Sequence, residues 1–285
     1  MDNNRTVASP GKTEGEAAGT SGKWEREYYR EDKNMLKIDH LTKTYPGGKV
    51  GVADLSLEVK PGEICGFIGH NGAGKTTTIK AVVGLHKFEQ GTITIDGISI
   101  SDDPLKAKSI IAYIPDNPEL YDNLSGMQFL NFVADVFRVP KSERKARIEA
   151  CARELEIVDS LNNQIASYSH GMKQKLAIIA AFLHEPKLLI MDEPFVGLDP
   201  KAAFILKKFM RKFCDNGGAI FFSTHVLEVA EKLCDKIAII RGGVLLADGD
   251  IETVKGNESL EEVFLELVDD IKVDEDQDRE GGKNA

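Results

Sequence analysis

Gly69-His70-Asn71-Gly72-Ala73-Gly74-Lys75-Thr76-Thr77 decides how the rest of the chain is read. These residues fit G-x-x-x-x-G-K-[ST], a loop whose backbone N–H groups surround phosphate oxygens. The neighbouring sequence is what such a loop needs. An apolar run, Ile64-Cys65-Gly66-Phe67-Ile68, leads in as a buried strand, and a helical pattern from Thr77 to Leu85 leads out. Glycines let the backbone curl until several N–H groups converge. The helix start adds unpaired N–H groups and the positive end of its dipole. In that frame Lys75 reaches the β- and γ-phosphates of a nucleotide and the Thr76 hydroxyl ligates Mg²⁺. An ordinary glycine-rich turn would give this pattern in roughly one chain in a hundred of this length.

Outward from the loop, strands and helices alternate. Leu36–Tyr45, Val52–Val59 and Ile110–Ile114 read as strands, as do Thr92–Ile95 and Ile98–Ile100 around the Asp96-Gly97 turn. Residues 125–158 read as two or more helices broken at Pro140, and Gly171–His184 as another. The order then becomes strand 187–191, helix 200–214, strand 219–223, helix 226–233, strand 237–241. This predicts an α/β fold: a mostly parallel central sheet with helices on both faces, an antiparallel β subdomain, and a separate helical lobe over about 116–182. The folded domain is expected over 35–268. Residues 1–34 are expected to be a disordered extension and 269–285 a disordered acidic tail.

Composition excludes several classes of function. The longest uninterrupted apolar run is Leu176–Leu183, far short of the roughly 18 residues that span a bilayer. The N-terminal residues lack the apolar core of a secretion signal. The chain is therefore expected in the cytosol, so a membrane role would need a partner. Four cysteines lie far apart with no C-x-x-C spacing, which argues against a metal site of that type and against a disulfide framework. The net charge is −10, and residues 258–285, with eleven acids and three bases, carry −8 of it. The remainder is nearly neutral, which is not the profile of a nucleic-acid-binding protein.

Leu188-Leu189-Ile190-Met191-Asp192-Glu193 is an apolar strand that ends in two carboxylates. Its carboxyl end falls where ligands bind in parallel sheets. Asp192 suits Mg²⁺, and Glu193 suits a general base for a water attacking the γ-phosphate.

At this point the chain resembles the ATP-binding cassette family. Tyr168-Ser169-His170-Gly171-Met172-Lys173-Gln174-Lys175 resembles the family signature, Gly197-Leu198-Asp199-Pro200 its D-loop, and Ser223-Thr224-His225 the strand end that carries its switch histidine. Tyr45 matches the aromatic residue that stacks on adenine. The resemblance covers about residues 36–268. It implies a P-loop NTPase in which two copies sandwich two ATP molecules. Ser169 and Gly171 would then contact the partner's ATP, Asp199 would order the dimer interface, and His225 would support Glu193.

Two departures stand out. The signature reads Y-S-H-G-M where L-S-G-G-Q is common, and Asp116 stands where the family usually has Gln. Asp116 can still ligate Mg²⁺, while Asn117, one residue on along a strand, would point to the opposite face.

The resemblance implies an ATP-hydrolysing subunit that uses Mg²⁺ and drives a separate integral membrane permease. Such a subunit would sit at the cytoplasmic face of the cell membrane and work as a dimer. Contact with the permease is expected within 116–140, where Phe129, Phe132, Val133 and Phe137 recur at helical spacing; the same spacing also suits core packing. The Y-S-x-G-M-K-Q form is similar to exporter subunits for drugs, antibiotics or peptides. An importer subunit is the near alternative. A soluble cassette ATPase acting as a mechanical or regulatory switch is the distant one, because only one cassette and no heptad run are present.

Overall fold

The computed structural model describes residues 34–267; the two segments expected to be disordered lie outside them, apart from Asn34. β1 (Leu36–Thr44) and β2 (Val50–Val59) form an antiparallel pair. β3 (Ile64–Ile68) leads into α1 (Lys75–Val82), followed by the hairpin of β4 (Gln90–Ile95) and β5 (Ile98–Ser99). Next come α2 (Pro104–Ser109), β6 (Ile111–Ile114), α3 (Gly126–Val136), α4 (Lys141–Glu154) and α5 (His170–Phe182). β7 (Leu188–Met191), α6 (Pro200–Asp215), β8 (Ala219–Thr224), α7 (Leu227–Leu233) and β9 (Lys236–Arg241) complete the alternation. β10 (Val244–Asp250), α8 (Ile251–Lys255) and a helical segment over 260–267 follow.

The strands make two sheets. One is antiparallel, in the order β2-β1-β4-β5; the other has the order β10-β9-β3-β8-β7-β6. In the second, β9, β3, β8, β7 and β6 run parallel and only β10 is antiparallel. Strand period explains why β3, β7 and β8 are buried throughout. Ile64, Leu189, Met191, Ile220 and Phe222 face one apolar core, shared with α3 to α7. Cys65, Phe67, Leu188, Ile190 and Phe221 face the other, shared with α1 and the antiparallel sheet. The expected α/β architecture, with its antiparallel subdomain, is what the chain forms. The helical region does not have a core of its own: Leu130, Ile148 and Leu176 belong to the same cluster as the central strands.

α1 begins at Lys75, two residues earlier than the apolar pattern indicates, with Gly74 as its cap at φ 114°. A Cβ at Gly74 would lie 2.6 Å from the Gly51 carbonyl oxygen, so this cap must be glycine. α1 stops at Val82 because Gly84 takes a left-handed turn and the Leu85 N–H returns to the Lys80 carbonyl at 2.8 Å. The loop is also braced from outside. The Gly243 N–H donates to the Ala73 carbonyl and the Gly243 carbonyl accepts from the Ala53 N–H, both at 2.8 Å. The β9–β10 hairpin thus ties the phosphate loop to the antiparallel sheet.

Candidate functional site

Alternation along β7 continues past its last residue. Asp192 falls on the side of Leu188 and Ile190, facing α1, and Ser223 falls on the same side of β8. Met191 pairs with Phe222, so Asp192 and Ser223 are neighbours across the sheet. Asp192 is 2% exposed. Its Oδ1 accepts from the Ser223 hydroxyl at 2.5 Å and its Oδ2 from the Thr76 hydroxyl at 2.8 Å. A buried carboxylate needs such partners. The Thr76 hydroxyl and the Asp192 carboxylate together present hard oxygen donors beside a phosphate loop. That is the donor set Mg²⁺ takes when phosphates and waters complete its shell.

Glu193 leaves the strand in a left-handed conformation, φ 47°, which is uncommon for a residue with a Cβ. The turn keeps its side chain at the sheet edge. Its N–H donates to Ser223 Oγ at 2.9 Å, so one serine holds both acidic residues. Oε2 lies 2.9 Å from Nδ1 of His225 and accepts the His225 N–H at 3.3 Å. Oε1 is 3.2 Å from Lys75 Nζ, an ion pair with both side chains nearly buried. The same Oε1 is shut from solvent without a hydrogen bond. Lys75 Nζ also donates to the carbonyls of Gly69 at 2.5 Å and His70 at 3.3 Å. Lys75, Thr76, Asp192, Glu193 and His225, from three separate stretches of sequence, therefore form one connected cluster. Ser223, which the sequence marks only as the start of the Ser223-Thr224-His225 stretch, joins the cluster through Asp192 and Glu193. Only the β7–β8 register brings it opposite Asp192.

Tyr45 meets the first turn of α1. Its hydroxyl lies 3.0 Å from Thr77 Oγ1 and 3.3 Å from His86 Nδ1, and its ring is edge-on to His86. Burial, then Lys80 and Lys43, hold His86 below the ordinary histidine range. On the far side of the loop, the His70 ring meets Phe264 of segment 260–267, centroids 4.9 Å apart. A small cavity of about 160 Å³ there is lined by His70, His225, Glu261 and Leu265. Some of the acids counted above with the C-terminal charge thus sit on a folded helix that flanks the loop.

Ser169 caps α5 by accepting the Met172 N–H at 3.3 Å, and both Ser169 and His170 are exposed at the start of the helix. Asp199 caps α6 by accepting the Ala202 N–H at 2.9 Å, with Pro200 in the first turn. That hydrogen bond holds the Asp199 carboxyl below its ordinary range. Neither Ser169, Gly171 nor Asp199 touches the Lys75–Glu193 cluster. Asp116 is exposed, and its Oδ1 accepts the N–H of Asn117. β6 ends at Ile114, so strand alternation does not govern Asn117, which is also exposed. Burial, then Asp192 and Asp116, push the Tyr113 hydroxyl up to about 12.

Comparison with known proteins places the chain in a family. Residues 52–196 match the ABC transporter family. The ABC-type transporter ATP-binding protein EcsA of Bacillus subtilis (strain 168) is 35% identical over 82% of this chain and 96% of its own. The linearmycin resistance ATP-binding protein LnrL of the same organism is 35% identical over 75% of this chain and 69% of its own. A solved structure described as the ATP-binding subunit of an ABC transporter superposes with a TM-score of 0.78 at 36% identity, covering 82% of this chain and 99% of that one. The chain belongs to the ATP-binding subunits of ABC transporters.

Proposed function

We propose that this subunit hydrolyses Mg·ATP between two copies of itself and so drives an exporting permease. The observation that carries the reading is Glu193. It has one carboxylate oxygen held by His225 and the other buried beside Lys75 without a hydrogen bond. A carboxylate held this way can accept a proton from water as the water oxygen bonds to the γ-phosphorus and the bond to the β-phosphate oxygen breaks. Lys75 and the N–H groups of 69–77 would stabilise the phosphoryl charge. Thr76 and Asp192 would hold Mg²⁺, with Asp116 as the further carboxylate that the sequence offers, and the ion would supply charge neutralisation. Tyr45 would stack on adenine. Ser169 and Gly171 would read the γ-phosphate held by the second copy, using the open start of α5. Asp199 would order the interface between copies.

Docking to a permease is supported by a groove of about 400 Å³ whose walls include Leu85, Tyr113, Pro118, Phe129, Val133 and Phe137. The helical spacing of the aromatic residues in α3 serves two ends. Phe129 is buried, while Phe132 and Val136 of the same helix stand 46% and 61% exposed. Among the described residues no helix is long and apolar enough to cross a membrane, so the groove would receive a segment from another chain. Export is favoured by the likeness to LnrL, a linearmycin resistance protein. The test is affinity purification from detergent-solubilised native membranes, comparing the native chain with Phe132→Asp. A stoichiometric polytopic membrane protein should accompany the native chain and be lost with the variant, while ATP binding is retained. Recovery of soluble partners alone would favour a soluble switch.

A further inference from the structure

His170 occupies the position where the commoner form of the signature has glycine, and its ring is not idle. It lies against Gly197, where an added Cβ would sit 2.7 Å from the ring's Cδ2 and 3.0 Å from Nε2. Gly197 has φ 75°, so both the space and the backbone there demand glycine. Two further points join α5 to the same loop. Gln174, 1% exposed, donates through Nε2 to the Pro194 carbonyl at 3.4 Å. A Cβ on Gly171 would stand 4.0 Å from the Leu198 side chain. The loop that begins at Glu193 and ends at the Asp199 cap is thus seated on the start of α5 at positions 194, 197 and 198.

We propose that His170 is a positioning residue: by packing on Gly197 it fixes the 194–198 loop, so that seating of a phosphate on Ser169 and Gly171 is passed within one chain to Glu193. This rests on the reading of Ser169 and Gly171 as contacts to the second copy's nucleotide. The chemistry needs no charge on the imidazole; a planar ring of that width is sufficient. Small displacements of a general base are costly, since about 1 Å of misplacement can lower a rate on the order of a hundredfold.

The test uses steady-state ATPase measurements on the full chain with His170→Gly, His170→Phe and Gly197→Ala. His170→Gly should lower kcat about tenfold, with KM within about twofold, and bring the Hill coefficient for ATP to about 1. His170→Phe should keep values near those of the native chain, and Gly197→Ala, whose Cβ displaces the ring, should behave like His170→Gly. Native kcat and Hill coefficient in His170→Gly would overturn the proposal. So would a His170→Phe variant as impaired as His170→Gly, which would point to the imidazole's own chemistry. If His170→Gly fails to fold, the comparison of His170→Phe with Gly197→Ala decides between the same outcomes. Glu193→Gln keeps the two readings apart. If it forms an Mg·ATP-dependent dimer while His170→Gly behaves as native, only the positioning role fails. If it forms no dimer, the reading of the signature fails and the role of His170 fails with it.

Discussion

Ser223 does more at the site than its place in the sequence suggests. One hydroxyl donates to Asp192 and accepts from the Glu193 N–H, so it sets the spacing of the two acidic residues. Ser223→Ala should leave Asp192 Oδ1 unpaired inside the protein, at a cost of about 1–3 kcal/mol in a denaturant melt. It should also weaken the dependence of ATPase activity on Mg²⁺ by about tenfold or more. Asp199 poses a different question, because capping α6 already explains it. Serine caps a helix about as well as aspartate. Asp199→Ser should therefore keep the melting temperature while reducing ATP-dependent self-association in sedimentation. Undiminished association would leave Asp199 as a cap alone. Residues of the phosphate loop and of the Asp192–Glu193 strand end were legible because their chemistry fixes their spacing. The role of Ser223 was not, because it depends on a strand register that sequence spacing does not encode.

The elements were mostly legible from hydrophobic period, and the departures have local causes. α2 starts with Asp103 accepting the Lys106 N–H and with Pro104 in the first turn, a strong start signal on a helix too short to show periodicity. β10 follows Gly242-Gly243, a two-residue hairpin signal between apolar runs. The helical region lacks a separate core because α5 packs against the sheet on one side and against α3 and α4 on the other, which a linear reading cannot show. His184, just beyond α5, joins this packing. Its ring stacks on Phe137 with centroids 3.8 Å apart, and its Nε2 donates to the Ile111 carbonyl at 2.9 Å. Burial holds His184 below the ordinary histidine range, opposed by that hydrogen bond. As pH falls through about 6.5 the unfolded chain takes up the proton before the folded one. The contribution of His184 is thus present above that value and lost below it. The melting temperature should fall as pH is lowered below about 6.5. His184→Gln, which keeps a donor for Ile111 but does not titrate, should flatten that fall; an identical pH dependence would remove His184 as its source.

At the scale of the molecule, the two cores place the chemistry. Alternation along β3, β7 and β8 sends Asp192 and Ser223 toward α1, while the opposite face carries the helices that form the groove. Glu193 stands where β7 gives way to the loop that reaches α5 and α6. The candidate nucleotide site, the start of α5 and the groove are therefore joined through one continuous sheet-and-helix framework. The reading that follows is a subunit whose hydrolysis requires a second copy. The most direct test is sedimentation of Glu193→Gln, which should retain ATP but not cleave it. With Mg·ATP the variant should sediment as a stable species of twice the chain mass of 31.3 kDa, and without nucleotide as a single chain, while its kcat falls on the order of a hundredfold or more. A variant that stays a single chain in Mg·ATP, or that turns over ATP at the native rate, would contradict the account.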